Sequence, residues 1–119
     1  MASAEVKSFD RPDEVRPTAD KGEVQIVNLA SGTVGRAVFQ PGWRWSEHVK
    51  PIAGTESCQA PHIGYAVSGR MAYRMDDGSE GEIAPGDAYV LPPGHDTWVV
   101  GDDAVVHVDF NGMADYARG

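Results

Sequence analysis

The residues that could do chemistry are four histidines, His48, His62, His95 and His107, and one cysteine, Cys58. The first three histidines follow turns or begin predicted strands, and His107 lies within the last predicted strand. Neutral imidazole is a common metal ligand, so three imidazoles on neighbouring strands could hold one divalent ion. No two histidines have a tight local spacing such as His-x-His. Spacing alone therefore favours ordinary hydrogen-bonded residues at the surface over a shared metal site.

The elements that must position these residues are predicted to be short β-strands. The chain has 14 glycines and 8 prolines among 119 residues, which is typical of many strands joined by tight turns. Asp77-Gly78 is a hairpin-turn dipeptide, and residues 50–61 read as a loop. Eight to ten strands at regular spacing indicate a β-sandwich or barrel. The clearest strands are GEVQIVNLA, VGRAVFQ, WRWSEHV, HIGYAVSG, RMAYRM, AYVLP, HDTWVV and AVVHVDF.

The length predicts one domain, preceded by a polar segment. Residues 1–21 are interpreted as an N-terminal arm that either pairs with a partner's sheet edge or is disordered. Residues 22–112 form the predicted barrel. Residues 113–119 are a short tail in which one helical turn is expected.

Charge and composition exclude several classes of function. Ten Lys and Arg against 18 Asp and Glu leave a net charge of -8, which disfavours nucleic acids and anionic membranes as partners. No apolar run approaches the roughly 20 residues of a membrane-spanning helix. The N-terminus has no secretory apolar region, and the single Cys58 excludes an internal disulfide. A cytoplasmic location is therefore expected.

One stretch resembles the first of two motifs of the cupin superfamily, written G-x5-H-x-H-x3–4-E-x6-G. Gly42 is followed after five residues by His48, in the first ligand position. Lys50 stands in the second histidine position. After a longer gap His62 takes the place of the motif glutamate, and Gly69 follows six residues later.

A second stretch resembles the other cupin motif, G-x5-P-x-G-x2-H-x3-N. Gly86, Pro92 and Gly94 match it in full. Thr97 stands where the motif has histidine, and Gly101 where it has asparagine. The matched glycines and the Pro-x-Gly turn support the fold more strongly than they support the metal.

The resemblance implies a ligand set in which some residues differ from the motif. His95 lies two residues before Thr97, and residues two apart in a strand share a face, so His95 could replace the motif histidine. His62 would supply an imidazole in place of a carboxylate. The implied three-histidine set is His48, His62 and His95.

A fourth ligand is expected from the 50–61 loop, where Glu56 and Cys58 are both candidates. Lys50 is normally protonated and cannot bind a metal in that form. In an alternative alignment Glu56 and Cys58 replace the His-x-His pair, since Cys58 stands four residues before His62. A thiolate would favour zinc or iron over magnesium or calcium. Cys58 could also act as a nucleophile, and its other interpretation is a small buried apolar side chain.

The remaining polar and aromatic residues receive structural roles. His107 and Asp109 alternate in the last strand and share one face; we expect that face to point outward, although inward they could act as base and orienting partner. The other aromatic residues are expected to pack rather than to bind a ligand, the tryptophans in the core or at a dimer contact: Tyr65, Tyr73, Tyr89, Trp43, Trp45 and Trp98.

The cupin resemblance implies an all-β, single-domain, double-stranded β-helix, which is a jelly-roll barrel, and a homodimer with sheets extended across the interface. It also implies a divalent metal ion (zinc, iron, manganese or nickel) held by barrel histidines. Dioxygenase, isomerase or lyase chemistry on a small organic molecule would follow. The alternatives are a metal-free enzyme that uses His62 or His95 as acid–base groups, and a metal-free module that binds or senses a small molecule.

Overall fold

The computed structural model describes residues 3–18 and 21–110. In this part of the chain nine β-strands and two one-turn helices follow one another, and the predicted strands from His62 onward are all present. Met75 and Ser79 close the predicted hairpin around Asp77-Gly78. The strands are β1 Glu14–Pro17, β2 Gly22–Leu29, β3 Gly32–Phe39, β4 His62–Ser68, β5 Arg70–Met75, β6 Glu80–Ile83, β7 Ala88–Leu91, β8 His95–Val100 and β9 Val105–Asp109.

The nine strands form two antiparallel sheets. One sheet has six strands in the order β1-β2-β3-β9-β4-β7, and the other has three in the order β6-β5-β8. Both sheets contribute to one apolar core, because Phe39 and Val105 of the larger sheet cluster with Met71 and Val99 of the smaller. The sheets therefore pack face to face, as in the expected all-β jelly roll.

Strict alternation along β8 and β9 decides which side chains enter the space between the sheets. In β8, His95, Thr97 and Val99 are buried, whereas the residues between them are half-buried. The same face of β9 buries His107 and Asp109, which are 3% and 1% exposed. The expectation that these two residues point outward was therefore wrong.

The segment WRWSEHV is not a strand over its whole length, as its alternation had predicted. Only its start is extended, where Arg44 forms a β-bridge with Trp98. The chain then turns into helix α1 (Trp45–His48) and helix α2 (Lys50–Ala53). Helical spacing buries both Trp45 and Val49, four residues apart, on one side of the turn. Among the residues described, no helix is long and apolar enough to cross a membrane.

The N-terminal segment joins the barrel of its own chain. β1 pairs antiparallel with β2, with Glu14 opposite Ile26, and so forms one edge of the larger sheet. The structure contains one chain, so pairing with a second copy and the homodimer stay predictions. The helical turn expected within residues 113–119 lies outside the described residues.

Gly69, at the sharp turn between β4 and β5, occupies a place that no other residue fits. Its φ is +74°, and an added Cβ would lie 2.3 Å from the carbonyl oxygen of Ala104 and 2.7 Å from the Cα of Val105. Gly78, in the exposed hairpin, has a φ of +90° but nothing within 4 Å of an added Cβ. The two glycines thus share the left-handed backbone and differ in the space around them.

We expect Gly69→Ala to lower the free energy of unfolding by about 2–4 kcal/mol, because the chain must adopt a strained φ and also displace a neighbouring strand. Gly78→Ala should cost only the backbone strain, about 1 kcal/mol. Urea unfolding of both variants measures the difference. Equal losses of unfolding free energy in the two variants would show that the close approach of Ala104 and Val105 to Gly69 does not contribute to the effect.

Candidate metal centre

Three buried side chains, those of Cys58, His62 and His95, bring their potential ligand atoms within 4.8 Å of one another. Cys58 Sγ lies 3.8 Å from His62 Nε2. His62 begins β4 of the larger sheet and His95 begins β8 of the smaller. The cluster therefore joins the two sheets.

The loop that carries Cys58 is tied to the start of β8 by backbone hydrogen bonds. The N–H of Cys58 donates to the carbonyl of His95, and the N–H of Gly94 donates to the carbonyl of Cys58, both at 2.8 Å. Gly94 has a φ of +95°, and an added Cβ would lie 2.7 Å from the carboxylate of Asp76. The Pro-x-Gly turn of the second motif therefore has a physical reason: it holds Cys58 and His95 side by side.

Both imidazoles are oriented by an oxygen acceptor on Nδ1. His95 Nδ1–H donates to the carbonyl of Pro92 at 2.7 Å. His62 Nδ1 is bound to the carboxylate of Asp109, at the end of β9. With Nδ1 occupied, each neutral ring has its lone pair on Nε2. An oxygen acceptor on Nδ1 that leaves Nε2 as the ligand atom is the usual support of a metal-binding histidine.

The cluster is electrostatically coupled. Burial raises the pKa of the Cys58 thiol, but hydrogen bonds and charge from His62 and His95 outweigh burial and lower this pKa from 9.0 to about 6. Burial also lowers the pKa of His62, whereas its bonds to Asp109 and Cys58 raise it from 6.5 to about 9. Near neutral pH the metal-free protein therefore holds a thiolate beside an imidazolium.

The cluster opens onto a small pocket between the two sheets. Besides two of the potential ligands, its lining includes a second polar pair: the hydroxyl of Tyr89 lies 2.9 Å from His107 Nδ1. Burial and the nearby His62 lower the pKa of His107 from 6.5 to about 4, so this imidazole is neutral at pH 7. Burial and the Asp109 charge raise the pKa of Tyr89.

His48 and Glu56, which were also considered as ligands, do not join the cluster. His48 lies in α1, with its Nδ1 3.0 Å from the backbone nitrogen of Arg44. Glu56 has a side chain 96% exposed and forms a surface ion pair with Lys50 at 2.8 Å. The structure thus gathers three of the four proposed ligands, Cys58, His62 and His95, and leaves His48 out of the group.

The remaining expectations divide between core and surface. Thr97 shares a buried face with His95, as the two-residue period predicted, and it lines the pocket. Trp43 stacks on Phe39 with ring centroids 3.7 Å apart, and Trp45 is also buried in the core, as expected. Trp98 is half-buried beneath the guanidinium of Arg44.

Asp109, His107 and Tyr89 are the site residues that sequence reasoning did not place. The segment AVVHVDF has valines on both faces, so its alternation does not say which face is inward. The face opposite His107 and Asp109 carries Val106 and Val108, so hydrophobicity by itself favours burial of that face. This segment by itself therefore gave no indication that His107 and Asp109 face inward.

No family model matches this sequence, and no curated protein is similar to it at a significant level. Solved structures do resemble it. KdgF from Halomonas sp. has a TM-score of 0.62 and 19% identity, over 93% of this chain and 94% of that one. A protein of unknown function (DUF1255) from Acinetobacter sp. ADP1 has a TM-score of 0.61 and 10% identity, over 83% and 90% of the two chains.

A third likeness is to oxalate decarboxylase OxdC from Bacillus subtilis, in the form of a point mutant. The TM-score is 0.58 and the identity 17%, and the match covers 81% of this chain and 27% of that one. Structural similarity at such low sequence identity is evidence for the fold and not for the activity. Together with the two antiparallel sheets, they show that this chain has the cupin-like jelly-roll fold.

Proposed function

We propose that this protein binds one divalent metal ion through Cys58 Sγ, His62 Nε2 and His95 Nε2, and that the ion meets a small organic molecule in the adjoining pocket. The observation that carries the proposal is the convergence of these three buried donors, with both histidines held at Nδ1 by an oxygen acceptor. A buried cluster of this kind has few explanations other than a ligand set or an acid–base site.

The donor spacing fits a metal ion. With zinc bond lengths of about 2.3 Å to sulfur and about 2.05 Å to nitrogen, tetrahedral geometry places the two donor atoms about 3.6 Å apart. Cys58 Sγ and His62 Nε2 are 3.8 Å apart. Only a small adjustment would therefore be needed for both to bind one ion.

The donor chemistry favours zinc or iron among the metals considered. Thiolate and imidazole are soft to borderline ligands, which suit zinc and iron, whereas manganese prefers oxygen ligands. The Bacillus subtilis oxalate decarboxylase has Mn(II) centres. The thiolate of Cys58 supports a different preference in this protein.

Three protein ligands leave at least one coordination position for a substrate or water, where a bound ion would polarise a carbonyl or acidify a bound water. The chain's own residues would do the rest. Asp109 orients His62, Pro92 orients His95, and the apolar pocket wall limits water. Such a site would serve dioxygenase, isomerase or lyase chemistry on a small molecule, and these three reaction types stay open.

A metal-free role is the second candidate, and a specific arrangement favours it. Cys58, His62 and Asp109 stand in the order nucleophile, base and orienting carboxylate, with sulfur and Nε2 3.8 Å apart. This order is that of an activated thiol. The measurement that tests metal binding separates the two candidates.

Elemental analysis of untagged protein should find about one zinc or iron ion per chain. Cys58→Ser, His62→Gln and His95→Gln should each lose the ion. Loss of a residue that only supports a ligand lowers metal affinity about 10–100-fold, and loss of a ligand itself should lower it further. His48→Gln should keep the ion, since His48 lies outside the cluster. Circular dichroism confirms that each variant is folded.

Two outcomes would contradict this ligand set. If His48→Gln loses the ion as fully as His62→Gln does, His48 is a ligand and the cluster is incomplete. If the wild-type protein takes up none of zinc, iron, manganese or nickel, the metal proposal fails. Rapid alkylation of Cys58 near neutral pH would then support the activated thiol.

A further inference from the structure

We propose that His107, held in place by Tyr89, binds an oxygen atom of the pocket's ligand, and that this ligand is a small, uncharged molecule with a largely apolar body. The inference rests on the proposed function in one respect: it assumes that the small organic molecule binds in the pocket beside Cys58, His62 and His95. It adds the chemical class of that ligand and the residue that selects it.

The Nε2 atom of His107 is a buried polar group with no hydrogen-bond partner among the described residues. The side chain is 3% exposed, and it lines the pocket. Buried polar atoms in folded proteins are nearly always paired, so an unpaired one beside a pocket indicates a partner that comes from outside the chain. An atom of the ligand would supply that partner.

Tyr89 determines what kind of partner His107 needs. The hydroxyl of Tyr89 lies 2.9 Å from His107 Nδ1, which is its hydrogen-bond partner in the structure. Donation of the O–H to Nδ1 satisfies both groups, because a hydroxyl hydrogen needs an acceptor and the ring nitrogen can serve as one. The neutral ring then has its proton on Nε2. His107 is thereby a hydrogen-bond donor, and it requires an acceptor such as a carbonyl or ether oxygen.

The rest of the lining is suited to an apolar body. Ala37, Phe39, Met71 and Leu91 contribute apolar surface from strands of both sheets. No lysine or arginine is among the described residues that line the pocket. Proteins that bind carboxylates or phosphates in pockets commonly supply such a cation, so this pocket offers little to a ligand that carries full negative charge.

A bound metal ion would leave the site without net charge. The two positive charges of a divalent ion would be balanced by the thiolate of Cys58 and the carboxylate of Asp109, both buried at the site. His62, His95 and His107 contribute no charge when they are neutral. The loaded site as a whole is then electrically neutral, inside a chain of net charge -8. An anionic ligand gains no long-range attraction from it.

Benzamide and benzoate provide a matched pair of probes. They share an apolar ring and nearly the same shape, each offers an oxygen acceptor, and they differ in charge. We expect benzamide to bind at least about tenfold more tightly than benzoate at pH 7.5, in titrations followed by two-dimensional NMR. The titrations use both metal-free and zinc-loaded wild-type protein. Long-range 1H–15N spectra should show the His107 proton on Nε2, and its signal should move when benzamide is added.

Three variants locate the effect. His107→Phe keeps an aromatic ring without the donor and should weaken benzamide binding about tenfold, while zinc content is unchanged. Tyr89→Phe should weaken it less and should allow the His107 proton to move to Nδ1. Tyr65→Phe is the control, because Tyr65 is 45% exposed and does not line the pocket.

The proposal is overturned if benzoate binds as tightly as benzamide, if His107→Phe retains full affinity, or if neither probe binds at millimolar concentration. If His107→Phe fails to fold, the ratio of benzamide affinity to benzoate affinity and the His107 NMR signal, both measured on the wild-type protein, still test the proposal. A failure of the metal proposal is seen separately, as absent metal uptake. The metal-free titration then tests the His107 anchor by itself.

Discussion

Replacing Asp109 by asparagine is expected to weaken zinc binding about 10–100-fold, although Asp109 is not itself proposed as a ligand. Its buried carboxylate accepts from Nδ1 of His62 and so orients the ring and increases the basicity of Nε2. The asparagine amide oxygen can accept the same hydrogen bond without the charge. Asp109→Asn should therefore preserve the position of His62 and lose the electrostatic support.

The measurement is zinc affinity by competition with a chromophoric chelator. Asp96→Asn is the matched control: it makes the same chemical change at a carboxylate that pairs with Arg44 at 3.2 Å and does not line the pocket. NMR titration of His62 should show its pKa falling in Asp109→Asn and unchanged in Asp96→Asn. Equal zinc affinity in the two variants would remove Asp109 from the proposed metal support.

Zinc affinity is expected to rise about tenfold per pH unit between about pH 7 and about pH 9, and then to level off. The metal needs Cys58 as thiolate and His62 as neutral imidazole. The pKa of Cys58 is lowered to about 6, so the thiolate is already present over this range. The pKa of His62 is raised to about 9, so a proton must leave this ring each time a metal ion binds.

The direction of this pH dependence follows from the direction of the two pKa shifts. Below the raised pKa of His62 the proton competes with the metal, and raising the pH removes this competition until the ring is neutral without metal. Isothermal titration calorimetry in buffers of different ionisation enthalpy should count about one proton released per ion near pH 7.5. In Asp109→Asn the plateau should begin at a lower pH, since His62 is then less basic. A zinc affinity independent of pH in the wild-type protein would contradict the imidazolium assignment.

Much of the fold could be predicted from local pattern. The glycine, proline and hairpin signals placed five of the six strands from His62 onward, whereas β6 was not among the predicted strands. The motif glycines Gly69 and Gly94 mark turns where a Cβ would meet neighbouring atoms, at 2.3 Å and 2.7 Å. The turns and their glycines are local features that can be recognised in a single sequence, whereas the contacts with Ala104 and Asp76 involve residues distant in sequence and could not be predicted from it. The helix at Trp45 was missed because burial of Val49, four residues on, depends on the core that it meets.

The site was predictable in part, for the same reason. The two-residue period of a strand correctly placed His95 and Thr97 on one face. The resemblance to the first motif suggested His48 as a ligand, whereas the structure places it in α1 and assembles Cys58 with His62 and His95 instead. Spacing within one segment cannot say which loop residue reaches a strand start on another sheet.

The amino-acid sequence was sufficient to predict an all-β chain of short strands, its main turns and a set of candidate metal ligands. Each of these depends on neighbours a few residues away. The meeting of Asp109 with His62, 47 residues apart, and of Tyr89 with His107 required the complete barrel. Because β9 pairs between β3 and β4, the face it presents is determined by those two strands and by the opposite sheet. The alternation of the β9 residues fits either orientation, and packing of the two sheets selects the inward one.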